Sequence, residues 1–256
     1  MTILEEILTP LQGLSKSSDR LQSRPLGQVD SDRNFELPSY LLHGPRGGGD
    51  PVRIGLFAGI HGDEPAGPLA LSRVAERLLA EPTRAEGYDL YLYPICNPTG
   101  LLARTRCNSR GKDLNREFWR NSDEPEVRIL ENEIRSRAFH GLISLHADDS
   151  SPGIYGYVRG AVLTRALLEP ALAAAETVIP RNRNPVIDGF PAENGIISQC
   201  FDGILASPPE LELAPFEIIL ETPQSKPLTH QADAFVVAIE TVLLEYQKLL
   251  AFAANL

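Results

Sequence analysis

The 256-residue chain is 43% hydrophobic and 23% charged, an ordinary globular composition that excludes a disordered, collagen-like or disulfide-scaffold protein. Lys and Arg number 24 against 34 Asp and Glu, and the resulting formal charge of −10 argues against non-specific nucleic-acid binding. A chain of this length fits one α/β domain. Its three cysteines, Cys96, Cys107 and Cys200, form no CxxC pair and read as free thiols of a reducing compartment. No cationic and apolar leader opens the chain, and no apolar run is long enough to span a bilayer. The expectation is a cytoplasmic protein without a membrane segment.

In chain order, residues 1–34 are mixed and polar, with a short helix expected over Ile3–Leu8. They read as an N-terminal extension, loosely packed. Residues 35–43 read as an edge strand because they contain Pro38. Gly44 to Asp50 is a turn by composition, expected to link two antiparallel strands; it lacks the spacing of a phosphate-binding loop. Val52–Ile60 is an apolar run of strand length, suited to burial on both faces. A helix follows over 65–79, with Leu69, Val74, Leu78 and Leu79 at helical spacing and Pro65 in its first turn. Further strands are expected at 88–96, 142–146, 154–158 and 216–220, and helices at 124–139, 161–178 and 230–250. Residues 181–210 are rich in Asn, Pro and Gly and read as long loops. The alternation predicts a single α/β domain over 1–256, with a mixed, mostly parallel sheet flanked by helices.

Three polar clusters fall at the carboxyl ends of predicted strands: His61 with Glu64, then His146, then Glu221. Crevices of open α/β sheets lie outside those ends. An imidazole nitrogen and a carboxylate oxygen both suit zinc, and the tight turn His61-Gly62-Asp63-Glu64 can aim both at one point. His146 supplies a third donor. His61, Glu64 and His146 then make a His₂Glu set with a fourth position open, the pattern of a catalytic zinc. His43, His140 and His230 sit on an edge strand, at a helix end and near a helix start, and read as surface or capping residues. The stretch from Thr105 to Phe118 is a cationic loop in an acidic protein, a candidate carboxylate or oxyanion clamp. Glu221 is a candidate general base, with Glu210, Glu212 and Glu217 as competitors. GxSxG, HExxH and CxxC are absent from the sequence, so serine-hydrolase, zincin and zinc-ribbon readings have no support.

Taken in order, the blocks Gly59-Ile60-His61-Gly62-Asp63-Glu64, Asn97-Pro98-Thr99-Gly100-Leu101, Thr105-Arg106 with Asn108–Gly111 and Asp113-Leu114-Asn115-Arg116, Ser144-Leu145-His146-Ala147 and Leu220-Glu221-Thr222-Pro223 resemble the zinc carboxypeptidase superfamily. The likeness is greatest to its shorter members, the bacterial murein-peptide amidases and the succinylglutamate desuccinylase and aspartoacylase group, and runs from about residue 52 to 223. The resemblance implies a sheet of about eight strands between helices. It implies one Zn²⁺ on His61, Glu64 and His146, with Glu221 as general base and then acid. Arg106 would polarise the scissile carbonyl, with Arg104 and Arg110 as rivals for that role. Asn115 and Arg116 would hold a substrate carboxylate, and Asp113 would orient His61.

The chain departs from the family in two places. No Tyr lies between Tyr157 and Glu221, where digestive-type carboxypeptidases carry one. Asp148 and Asp149 follow the zinc His, and one expectation is that they receive a cationic substrate group. The chain after Glu221 reads as one helix, without the extended C-terminal domain of the aspartoacylase group, which favours the carboxypeptidase or murein-amidase side. The implied function is zinc-dependent amide hydrolysis, most simply a metallocarboxypeptidase acting on a small peptide with a free carboxylate. The alternatives are an N-acyl amino acid deacylase and, behind both, a catalytically inactive binding protein.

Overall fold

The computed structural model describes residues 3–30, 35–47, 49–212 and 214–253. Its strands are β1 (Leu21–Ser23), β2 (Gln28–Asp30), β3 (Phe35–Glu36), β4 (Tyr40–His43), β5 (Val52–Ala58), β6 (Tyr88–Tyr93), β7 (Gly141–Asp148), β8 (Tyr155–Gly160), β9 (Val186–Ile187), β10 (Phe190–Glu193), β11 (Ile196–Ile197) and β12 (Phe216–Pro223). The α-helices are α1 (Ile3–Ser17), α2 (Ala66–Ala80), α3 (Pro98–Ala103), α4 (Pro125–Arg137), α5 (Thr164–Ala175) and α6 (Leu228–Ala253). Ten of the strands form one mixed sheet in the order β1-β4-β6-β5-β7-β12-β8-β11-β10-β9. Its centre, β6-β5-β7-β12, is parallel throughout.

Side-chain alternation divides this sheet into two faces. Ile54, Leu56 and Ala58 of β5, Ile143 and Leu145 of β7, and Phe216, Ile218 and Leu220 of β12 point into the larger core, which α2, α5 and α6 cover. The opposite face buries Phe57, Tyr93 and Leu142 against Val127, Leu130 and Ile134 of α4. Towards β8 it continues as a smaller cluster of Tyr155, Tyr157, Ile197, Ile204 and Ile219. His146 and Glu221 alternate with Leu145 and Leu220, so they rise on this second face.

The chain leaves β5 through α2 to reach β6 on one side, then crosses back to β7 on the other. Strand order therefore reverses at β5, and a crevice opens between the carboxyl ends of β5 and β7. Asn97 holds the edge of that crevice. It caps α3 by accepting from the Gly100 N–H at 2.8 Å, and its side-chain amide donates to the Ile60 carbonyl at 3.2 Å. Gly62 lies so close to this turn that a Cβ there would sit 1.9 Å from the Gly100 carbonyl carbon. Only glycine fits at that point.

Several sequence expectations change. The sheet has ten strands rather than about eight, because β1, β9 and β11 add two or three residues each at its margins. The loops expected at 181–210 contain β9, β10 and β11, too short to leave a periodic signature. The edge strand expected at 35–43 is two elements. β3 pairs with β2 in a separate ribbon, and β4 lies inside the sheet between β1 and β6. Pro38, which lacks an N–H, falls in the gap. β4 and β5 do run antiparallel, yet β6 separates them. The turn at 44–50 includes Gly48, which lies outside the described residues. The first helix extends to Ser17 and buries Ile7 and Leu11. Among the described residues no helix is long and apolar enough to cross a membrane.

Leu145 is fully buried one residue before His146. Leu145→Ala is expected to cost about 2–5 kcal/mol of stability through lost burial and a residual cavity. Urea unfolding of the two proteins side by side measures the difference.

Candidate metal centre and substrate cavity

One turn and one strand end bring three donors together. His61 and Glu64 sit on the turn between β5 and α2, both almost fully buried, and His146 lies near the end of β7. His61 Nδ1 is 2.6 Å from Glu64 Oε1, and His146 Nδ1 is 3.1 Å from Glu64 Oε2 and 3.2 Å from His61 Nδ1. One donor atom from each lies within 4.8 Å of the others. The Ala147 N–H donates to Glu64 Oε2 at 3.1 Å, which ties the turn to β7.

The charges follow from this packing. Burial would push the Glu64 carboxyl up, but the two imidazoles and their hydrogen bonds outweigh it and pull it down to about 2. Burial would likewise push His61 down, and the carboxylates of Glu64 and Asp113 hold it above its ordinary value instead. At His146 burial prevails and the ring is held low. An ionised carboxylate between two imidazoles, buried and pointing at one locus, suits a dication of the zinc type.

Asp113 connects this locus to the cationic loop. Its Oδ1 is 3.2 Å from His61 Nε2, and its Oδ2 accepts from Arg106 Nε at 3.0 Å. Burial would raise the Asp113 carboxyl, but His61 and Arg106 hold it far below the usual range. Arg106 in turn reaches over the donors, with Nη1 3.3 Å from His61 Nδ1 and 3.7 Å from Glu64 Oε1. Its two rivals are elsewhere. Arg104 closes α3 in a left-handed conformation, and Arg110 pairs with Glu124 before α4 at 3.6 Å. Of the three, only Arg106 lines the cavity.

That cavity, about 360 Å³, holds the donors, Arg106, Asn115, Arg116 and Glu221 in one space. Asp113 caps a single 3₁₀ turn over Leu114–Arg116, which aims Asn115 and Arg116 inward. The Asn115 side chain accepts from the Leu205 N–H at 2.8 Å. The Arg116 guanidinium donates to the Asn115 carbonyl at 2.7 Å and stacks 4.5 Å over the Phe201 ring.

Glu221 is placed by register. It lies opposite His146 on parallel β7 and opposite Tyr155 on antiparallel β8, so the three side chains share one face. It is half-buried. Burial pushes its carboxyl well up, and the negative charges of Glu64, Asp148 and Asp188 push it further, against Arg106. The competing acids lie outside the cavity. Glu217 binds Ser207 and Arg159, Glu210 pairs with Arg135, and Glu212 does not line the cavity.

The structure separates Asp148 from Asp149. Asp148 Oδ1 accepts from the N–H groups of Ser150 and Ser151 at 2.7 and 3.1 Å, and its Oδ2 accepts from the Tyr155 hydroxyl at 2.8 Å. Burial would raise it, but those donors hold it below its ordinary value. Asp148 is thus a turn cap with both oxygens engaged; it lines the cavity together with Asp149, which is exposed. Of the other histidines, His43 Nδ1 lies 2.7 Å from Asp89, and the His140 ring accepts from the Arg53 N–H at 3.0 Å. His230 lies in the first turn of α6, outside the cavity.

Sequence reasoning missed Tyr155, Tyr157 and Asp188, all of which line the cavity. Period-2 alternation on β8 opposite Glu221 could have found the tyrosines. Asp188 had no such signal, since its hairpin read as loop.

A mixed α/β sheet that carries two imidazoles and a carboxylate at its switch point, with a half-buried acid in register beside them, has the layout of a metal-dependent hydrolase. Comparison with known proteins agrees. The family model of the succinylglutamate desuccinylase/aspartoacylase catalytic domain matches residues 52–152, which include every candidate site residue except Glu221. The fold is that of a Shewanella amazonensis SB2B protein classed provisionally as a metallopeptidase, at 24% identity and a TM-score of 0.76 over 94% of this chain and 92% of that one. It is also that of a metallo-carboxypeptidase from Burkholderia cenocepacia, at 15% identity and a TM-score of 0.75 over 96% of this chain and 70% of that one. A metallo-carboxypeptidase from Pseudomonas aeruginosa, in complex with (2-guanidinoethylmercapto)succinic acid, matches at 18% identity and a TM-score of 0.69 over 95% and 69% of the two chains. No curated protein sequence matches the chain. The likeness to metallo-carboxypeptidases therefore holds in fold, and the likeness to the succinylglutamate desuccinylase/aspartoacylase catalytic domain holds over residues 52–152.

An acid whose pKa is raised on folding contributes stability that is full below its unfolded pKa and is lost as pH rises through the folded value. In metal-free protein, Glu221→Gln is thus expected to raise the melting temperature at pH 8, with the gain shrinking towards pH 4. Thermal melts across that range measure it, and a pH-independent difference would count against the raised pKa.

Proposed function

We propose that the protein is a zinc-dependent amide hydrolase, a metallocarboxypeptidase that releases an amino acid with a free carboxylate from a small peptide. The observation that carries this reading is the register of Glu221 with His146, which sets an acid of raised pKa beside the His61–Glu64–His146 donors. In this reading Nδ1 of each histidine and the Glu64 carboxylate hold the zinc. When bound, the metal supplies Lewis acidity and lowers the pKa of water.

The remaining work falls to the chain. Asp113 accepts from His61 Nε2–H, which fixes the ring with Nδ1 free to act as a donor. Arg106, steered by Asp113, donates to the carbonyl oxygen as negative charge gathers there. Asn115 and Arg116 hold the terminal carboxylate and place the scissile bond between Arg106 and Glu221. Glu221 takes a proton from the attacking water and passes it to the leaving nitrogen.

The matched family model favours a second reading, an N-acyl amino acid deacylase using the same residues. Both reactions release an amino acid with a free α-carboxylate. Turnover of dipeptides against N-acetyl and N-succinyl amino acids separates them.

Elemental analysis of zinc-reconstituted protein is expected to give about one metal per chain, lost in His61→Ala and in His146→Ala. Glu221→Gln is expected to keep the metal while kcat falls by ~10²–10⁴-fold. Near-normal turnover in that variant would remove Glu221 from the mechanism, and failure of the wild type to take up metal would remove the hydrolase reading.

A further inference from the structure

Helix α6 ends on an apolar stretch that the described residues do not cover. Its core-facing stripe, Phe235, Ile239, Val242 and Tyr246, is buried in the larger core. From Lys248 to Ala253 every residue is exposed, yet the segment still carries Leu249, Leu250 and Phe252. Phe252 is 66% exposed, and Leu244, eight residues earlier, 49%. At 3.6 residues per turn Val237, Thr241, Leu244, Lys248 and Phe252 share one outer face, opposite the buried stripe.

Beside this face runs a groove of about 580 Å³, with Val237, Thr241 and Leu244 of α6 on one side and Arg77, Thr83 and Arg84 on the other. Glu240 answers both cations: Arg77 Nε and Arg84 Nη1 each lie 2.9 Å from one of its oxygens. With its arginines paired, the groove suits an aromatic ring better than a free ion. Between the groove and Phe252 stand Glu245 and Lys248, paired within the helix at 2.7 Å. Along the helix the order is therefore groove, acid, base, aromatic ring. That order is complementary to itself when reversed.

We propose that the outer face of α6 is a dimer interface, and that its occupant is the same helix of a second copy, running antiparallel. A two-fold axis passing between Tyr246 and Gln247 sets Phe252 opposite Thr241 of the second copy, each about 8 Å along the helix from the axis. Phe252 then enters the second copy's groove, and Lys248 meets the second copy's Glu245. The two ion pairs join into a ring of alternating charge. A parallel pairing would set Glu245 on Glu245 and Lys248 on Lys248, so the charges select the antiparallel one. Exposed ion pairs contribute direction more than affinity. Burial of Leu244 and Phe252 supplies the attraction. The covered face is small, so dissociation falls in the micromolar range. Because α6 packs on the sheet face opposite the cavity, both cavities stay open, and the interface is independent of their chemistry.

The test is sedimentation equilibrium of the full chain across the micromolar range. The wild type is expected to rise from the mass of one chain towards twice that mass. Lys248→Glu brings the acids of two copies together, and Glu245→Lys brings two sets of ammonium groups together. Each variant alone is expected to dimerise about tenfold more weakly than the wild type. An equimolar mixture of the two restores complementarity and is expected to recover the wild-type dimer. Phe252→Asp is expected to remain monomeric. A wild type that stays monomeric up to about 200 µM overturns the proposal and leaves the face to a different protein. Charge variants that dimerise like the wild type, or a mixture that stays monomeric where the wild type is dimeric, overturn it equally. These substitutions change side chains outside the core, and melting temperatures matched to the dilute wild type show that each variant is folded.

Discussion

β7 pairs in parallel with β5 on one side and β12 on the other, and parallel strands bring their carboxyl ends out at the same edge of the sheet. His146 near the end of β7 therefore has Glu221 beside it on β12 and the His61 turn beside it after β5. None of these residues is near another in sequence. A slip of one residue between β7 and β12 would turn Glu221 to the opposite face, under α5 and α6. Leu145 and Leu220 resist that slip, since each is buried in the larger core only in the observed register. The apolar core thus sets the geometry of the polar site.

A second layer of restraint comes from loops that the sheet does not reach. The Gly62 N–H donates to the Thr105 carbonyl at 3.0 Å, and Asn97 bridges the Ile60 carbonyl to its own helix. The segment bearing Arg106 is thereby pinned to the segment bearing His61. Asp113 completes the connection by holding His61 with one oxygen and Arg106 with the other. Asn108, whose amide donates to Glu124 at 2.6 Å, fastens the far end of the loop to the start of α4. An exposed guanidinium such as Arg106 would otherwise sample many rotamers.

Most of the site was legible because strand ends are legible. Long apolar runs at 52–60, 142–146 and 216–220 announce buried strands, and polar residues at their ends stand out against them. The fold class follows from the same runs. The parts that were not legible are short or negative in character. β9, β10 and β11 are two to four residues long, stabilised by joining an existing sheet edge and by covering Tyr157 and Ile219, so they carry no periodic pattern of their own. Sequence shows the charge of Asp148 but misses the two serine N–H groups and the tyrosine hydroxyl that hold it. Asp188 gave the reverse error. Its turn chemistry masked a carboxylate that tertiary structure brings to the cavity.

The distribution of acids around Glu221 bears on the affinity of its carboxylate for a proton. An ordinary Glu at neutral pH is too weak a base to take a proton from water readily. Burial and the fixed charges of Glu64, Asp148 and Asp188 make the ionised form of Glu221 costlier and so strengthen it as a base. Arg106 opposes them, and a dication on the neighbouring donors would oppose them further. The set point of Glu221 is therefore a balance between two groups of charges, each anchored separately. Asp148 is fixed by backbone N–H donors and Tyr155, Asp188 by Tyr157, and Arg106 by Asp113. Tyr155 and Tyr157 stand on the same strand, two residues apart, and direct one acid each. In this arrangement β8 contributes no charge at the site, yet through two hydroxyls it positions two of the charges that set the basicity of Glu221.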